Sequence, residues 1–93
     1  MDLEVRHNPE RSRYELHRDG RLIGVADYRM RGDVAVFSHT EIVVPLRDQG
    51  FGEELVRVAL DDARRQAWRV VPSCSFVAQY IDDHPEYRDL LAA

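Results

Sequence analysis

At 93 residues, 44% of them hydrophobic, the chain has the length of one small domain, expected to span residues 1–93 around a single core with no room for a separate regulatory unit. Acidic residues number 17 and basic ones 13, a net charge of −4, so the average field repels polyanions and counts against nucleic acid as a partner. Every basic residue is Arg, which excludes Lys chemistry, Cys74 has no partner for an intramolecular disulfide, and no apolar run approaches the roughly 20 residues of a membrane span.

In chain order, Leu3 to His7 and Tyr14 to His17 read as strands separated by the turn residues Asn8-Pro9-Glu10. The opening residues have neither the basic start nor the apolar run of a signal peptide, so a cytoplasmic location is expected. Asp19-Gly20 then marks a tight hairpin into a third strand, Arg21 to Tyr28. After the turn Arg31-Gly32-Asp33, the β-branched run from Val34 to Val44 exceeds the usual strand of roughly 5–6 residues, which predicts a bulge or bend inside it.

From Phe51 the period changes. Phe51, Leu55, Val58, Ala59, Ala63 and Ala67 recur at three- and four-residue spacing, with Glu, Asp and Arg on the other face, so an amphipathic helix is expected from Gly50 to Gln66. Trp68 to Val71 is a short strand closed by Pro72, Ser73 to Ile81 is a helix with Ser73 as its cap, and His84-Pro85 opens a last short helix through Leu91. A right-handed crossover sets the first helix on one face of the sheet, its start at the end of the strand that closes at Val44. Open α/β sheets bind ligands at that place.

Val44-Pro45-Leu46-Arg47-Asp48-Gln49-Gly50-Phe51-Gly52 joins strand to helix. Its glycines let a ligand approach the backbone, the helix start exposes free amides with about half a positive charge, and Arg47 adds a full one, a combination that suits a pyrophosphate. Glu53 and Glu54 answer the helix dipole themselves, so the same spacing also fits an ordinary glycine-containing helix entry.

Arg47-x-x-Gly50-x-Gly52, between Ile42-Val43-Val44 and an amphipathic helix, resembles the acetyl-CoA pyrophosphate motif of the GNAT superfamily of N-acetyltransferases. His39-Thr40-Glu41, Pro72-x-Cys74-x-Phe76 and His84-Pro85-Glu86-Tyr87, in that order around it, resemble the short single-domain branch of that superfamily. The resemblance implies an α+β fold, an α/β sandwich with a mixed, mostly antiparallel sheet of about five strands, a crossover helix and C-terminal helices. It implies acetyl-CoA as co-substrate, with the amides of Gln49, Gly50, Phe51 and Gly52 on the pyrophosphate beside Arg47, and the Val43-Val44 edge paired with the pantetheine arm. An amine would be the acceptor. Fuller members insert helices where only Asn8 to Ser12 joins the first two strands here, and the usual C-terminal strands do not follow, so the comparison with them leads one to expect an acceptor site that is open, or none, with a homodimer as one way to complete it.

Cys74, at a helix start whose amides favour the thiolate, suits a nucleophile that takes the acetyl group before an amine does; buried as a small hydrophobe it would be inert. The short branch places a cysteine here. His39 and Glu41, two apart on one strand, share a face and could take a proton from the amine, or simply decorate a sheet surface. Tyr80 resembles the tyrosine that many GNAT enzymes use to protonate the leaving thiolate, and equally suits a core. One Cys and four His without paired spacing offer no metal site. Without Lys, self-acetylation would fall on Cys74 or the N-terminal amine. Acetyl transfer from acetyl-CoA to an amine is thus the expected function, and a non-catalytic CoA-binding or protein-interaction module with the same fold is the alternative.

Overall fold

The structure, a computed structural model, describes residues 2–93; the N-terminal amine, on Met1, lies outside the described residues. Strands β1 (Leu3–Asn8), β2 (Arg13–Arg18), β3 (Arg21–Arg31), β4 (Val34–Ile42) and β5 (Arg69–Pro72) form one sheet in sequence order. The first four pair antiparallel and β5 joins β4 in parallel, after the crossover helix α1 (Phe51–Arg65). Helix α2 (Ser75–Asp83) and a 3-10 segment, Pro85–Leu90, follow. This is the α+β architecture that the sequence implied.

The β2–β3 turn forms because Asp19 and Gly20 both take positive φ, 49° and 82°, the geometry that matches strand twist in a two-residue hairpin. Between β1 and β2 the chain needs only a single 3-10 turn, Pro9–Arg11, whose Arg11 amide donates to the Asn8 side chain. Pairing of Tyr28 with Phe37 and of Asp27 with His39 leaves Ser38 as the extra residue of a bulge in β4, the irregularity expected of that long run. Beyond the bulge, Thr40 and Ile42 share a face with Ala26 and Gly24, while His39 and Glu41 share the other with Asp27 and Val25.

Both helices pack on the first of these faces. Tyr14, Leu16, Ala26, Tyr28, Ala35, Phe37 and Val70 from the sheet meet Phe51, Leu55, Val56, Ala59, Leu60 and Ala63 of α1, and Val77, Tyr80 and Ile81 of α2. Full burial of each Val, Leu or Ile side chain here is worth about 1.5–3 kcal/mol. Two tyrosines lock α1 in rotation: the Tyr14 hydroxyl donates to Asp62 Oδ2 at 2.6 Å and the Tyr87 hydroxyl to Asp61 Oδ1 at 2.7 Å. The second face carries Arg13, Glu15, His17, Val25, Asp27, His39 and Glu41, and no helix lies over it among the described residues.

Several sequence expectations shift. Strand β4 stops at Ile42, because the Val43 amide donates to Ile23 O and Val44 enters a 3-10 turn with Pro45. Val56 and Leu60 fill the helix core where Val58 and Ala67 were expected; Ala67 is past the helix end at φ 61°. Cys74, not Ser73, is the N-cap of α2. The last segment is 3-10 and ends before Leu91, which bridges Val70 instead.

On the bare face, the Glu15 carboxylate accepts from Arg13 Nε at 2.8 Å, His17 Nε2 at 3.2 Å and Asn8 Nδ2 at 3.1 Å. The Arg13 and His17 hydrogen bonds dominate in holding it down from 4.5 to about 2. A carboxylate depressed by folding stabilises fully above its unfolded value and loses that contribution as pH falls through its folded one. Urea unfolding across pH should therefore show stability falling between 4.5 and about 2, and Glu15→Gln should flatten that limb.

Candidate functional site

A cleft of about 750 Å³ opens where β4 and β5 part. The two strands pair only from Val34–Arg69 to Phe37–Pro72, and the amide of Cys74 makes the last link, to Phe37 O at 2.9 Å. Past that point β5 turns into α2, and Ser38 to Ile42 of β4 is left without a strand partner on that side among the described residues. The Val43 amide points at Ile23 on β3, so the carbonyl of the same trans peptide, Ile42 O, points the opposite way, into the cleft. Arg47 Nε donates to it there at 2.9 Å.

The other wall is the start of α1. Asp48 and Gly50 take left-handed backbone, φ 62° and 85°, which turns the chain sharply into the helix. Gly50 is the N-cap and supplies no side-chain cap, and the first helical bond runs from the Glu54 amide to Gly50 O. The amides of Phe51, Gly52 and Glu53 therefore have no intrahelical acceptor, an arrangement whose donors and dipole suit an anion. Gly50, Gly52, Glu53, Arg47 and Asp48 line the cleft; Phe51 turns its ring into the core, and Gln49 folds back onto Pro45 O at 3.3 Å. Val43 and Val44, the edge expected from sequence, do not line it; His39, Thr40, Glu41 and Ile42 form that border, and Val43 faces a neighbouring hollow instead.

Phe76 is a wall that sequence reasoning left unassigned. Its ring lies over Gly52 so closely that a Cβ there would meet Phe76 Cζ at 2.8 Å. Gly52 is thus fixed by an aromatic neighbour as much as by any ligand; an aromatic in the first turn of α2 opposite a glycine in the first turn of α1 was the available signal. Gly52→Ala should cost about 1–3 kcal/mol by overpacking, measured by thermal unfolding, and Phe76→Leu in the same chain should return most of it.

Cys74 sits at the fork. Its Sγ–H donates to Thr40 Oγ1 at 3.6 Å, so the thiol meets β4 from the helix-covered face. Burial pulls the thiol up, but the Thr40 hydroxyl and the amides of Val77, Phe76 and Thr40, which face the sulfur without closing a formal cap, outweigh it and hold the thiol below its ordinary value. Thr40 was the other residue unassigned from sequence.

His39 and Glu41 project from the opposite face. They pair at 3.0 Å, each side chain 56% exposed, and Arg47 Nη2 lies 4.0 Å from Glu41. The His39 hydrogen bond, with its charge, lowers the Glu41 carboxyl below its usual range. Both residues border the cleft, but the bulge at Ser38 sets them across the sheet from the thiol. Tyr80 is not at the cleft at all. It is buried, stacked on His84 at a centroid distance of 3.9 Å, and its hydroxyl is raised by burial, which outweighs the lowering effect of Arg57, so it does not stand at the fork where a proton donor was expected.

A family model described as GCN5-related N-acetyl-transferase matches residues 13–90. Among curated proteins no sequence matches. Among solved structures, the chain is similar to a GCN5-like protein from Staphylococcus aureus, at a TM-score of 0.74 and 20% identity, covering 98% of this chain and 89% of that one. It is similar to the ribosomal-protein-S18-alanine N-acetyltransferase from Escherichia coli at TM-score 0.63 and 15% identity, over 77% of this chain and 50% of that one. It also resembles N-acetylglutamate synthase from Neisseria gonorrhoeae, complexed with coenzyme A and N-acetyl-glutamate, at TM-score 0.60 and 15% identity, over 94% of this chain but only 26% of that one. These likenesses concern the fold.

Proposed function

We infer, from the premise that the chain belongs to the GCN5-related N-acetyltransferase family, that it moves an acetyl group from acetyl-CoA to an amine at the β4–β5 fork. The observation that carries this reading is the coincidence of a free strand edge, Ser38 to Ile42, with an uncapped helix start at Gly50 in one cleft. The edge offers main-chain groups to an amide-bearing arm, and the helix start with Arg47 offers donors to a pyrophosphate.

In the covalent form of the reaction, Cys74 Sγ, deprotonated, attacks the acetyl carbonyl; the new S–C bond forms as the bond to the CoA sulfur breaks, and CoA leaves as its thiolate. A thioester replaces a thioester, so the step is nearly balanced. The amine, having lost its proton, then attacks the acetyl group on Cys74 and restores the thiol. His39 and Glu41, on the other side of the fork, take the amine's proton through water. In the direct form the amine attacks acetyl-CoA itself and the same pair takes its proton. The depressed thiol at the end of the β4–β5 ladder supports the covalent form.

Intact-mass analysis after incubation with acetyl-CoA, without an amine, tests it. The expected product is one acetyl group per chain on Cys74, with release of one CoA. A second reading, a CoA-binding module without catalysis, has its support in the bare second face of the sheet. It requires that acetyl-CoA bind while neither the chain nor any amine is ever acetylated.

A further inference from the structure

We propose that the β2–β3 turn carries a separate nucleotide subsite, taking the 3′-phosphate and adenine of coenzyme A; this rests on the donor reading above. Arg47 is the only arginine lining the cleft among the described residues, it is already bonded to Ile42 O, His39 there is paired with Glu41, and Asp48 and Glu53 share that lining. A donor with three phosphate groups leaves most of its charge unanswered there. Across the Val43–Leu46 segment lies a second hollow, of about 490 Å³, bordered by Arg18, Asp19 and Arg21 with Leu22, Val43, Pro45 and Leu46. Leu46 borders both hollows, so one ligand can run from the helix start over this residue into the second.

The arginines are arranged at a cost. Arg18 and Arg21 are direct partners in the β2–β3 register, facing each other across Asp19-Gly20, and like charges so placed destabilise a hairpin. Neither has an ion pair among the described residues, which is true also of Arg11, Arg29, Arg31 and Arg69, but Arg18 and Arg21 are the two that border this hollow. Asp19, the carboxylate in the turn, spends an oxygen on the Asp2 amide at 3.0 Å. The Arg18 guanidinium rests over the Phe51 ring, 5.6 Å from its centroid, so it is held at the root of the anion-binding helix. Paired, unneutralised guanidiniums fit a phosphomonoester dianion through charge-assisted hydrogen bonds. The floor beside them is apolar and uncovered, Leu22 44% and Val43 41% exposed, which suits the flat face of a purine.

Titration calorimetry of the full chain with coenzyme A and with 3′-dephospho-coenzyme A tests the subsite at fixed ionic strength. The wild-type chain should bind coenzyme A about tenfold more tightly, the loss expected for one charge-assisted phosphate contact. Arg21→Ala, which spares the Phe51 contact, should bring that ratio close to one while leaving affinity for the dephospho form within about twofold. Arg31→Ala, at the far end of β3, should keep the wild-type ratio. A wild-type chain that binds both ligands equally, or an Arg21→Ala chain that keeps the preference, overturns the subsite while leaving the donor cleft standing. A chain that binds neither ligand overturns both.

Discussion

Acetyl-CoA at a hundred times its dissociation constant should raise the unfolding midpoint by roughly ten degrees, and Gly50→Trp should abolish the whole rise. The ligand adds about 2.7 kcal/mol to the native state, and a chain of this size moves by several degrees per kcal/mol. At Gly50 an added Cβ meets nothing within 4 Å, so an indole projects over the free amides of Phe51 to Glu53 without disturbing the core. The φ of 85° makes any side chain there strained by about 1–2 kcal/mol, which lowers the midpoint of the free variant. The quantity to read is therefore the ligand-induced difference within each chain. A rise that survives in Gly50→Trp would remove the helix start from the donor site.

Cys74→Ala should leave donor binding intact and slow transfer by at least about a hundredfold, with no acetyl group on the chain by mass. Ala keeps the backbone link to Phe37 O and removes only the sulfur and its contact with Thr40. The wild-type rate of chain acetylation should climb with pH and level off below 9.0, the ordinary thiol value, because the folded site lowers the thiol. Thr40→Val, which deletes the hydroxyl beside Sγ, should move that plateau to higher pH. Undiminished turnover in Cys74→Ala would leave direct attack, with His39 and Glu41 as the acid–base pair.

The strongly punctuated parts of this fold were readable from sequence. Asp19-Gly20 gave away its hairpin, the Arg47–Gly52 loop its helix start, and the period from Phe51 the crossover helix, since each rests on local backbone chemistry. Features set by neighbours were not. Val43 and Val44 have strand chemistry, yet the hydrogen bond from Val43 to Ile23 and the Pro45 turn end β4 before them. Alternation places His39 and Glu41 on one face but says nothing of which, and the position of the Ser38 bulge decides that they oppose Cys74. Tyr80 at two turns from Cys74 had the spacing of a site residue; packing against α1 takes it into the core. Phe76 was visible only within a motif, and its place over Gly52 depends on two helix starts meeting in space.

The strand order has a consequence for how this chain folds. Four of the five strands are sequence neighbours joined by short turns, so their pairing closes small loops and costs little chain entropy. Only the β4–β5 pair waits for α1 to be laid across the sheet, and that pair, ending at Phe37 and Cys74, is what creates the fork. The cleft is therefore expected to form last and to open first in partial unfolding. Amide exchange in β5 and the first turn of α2 should outpace exchange in β2 and β3, and acetyl-CoA, by bridging the helix start and the β4 edge, should slow it most there.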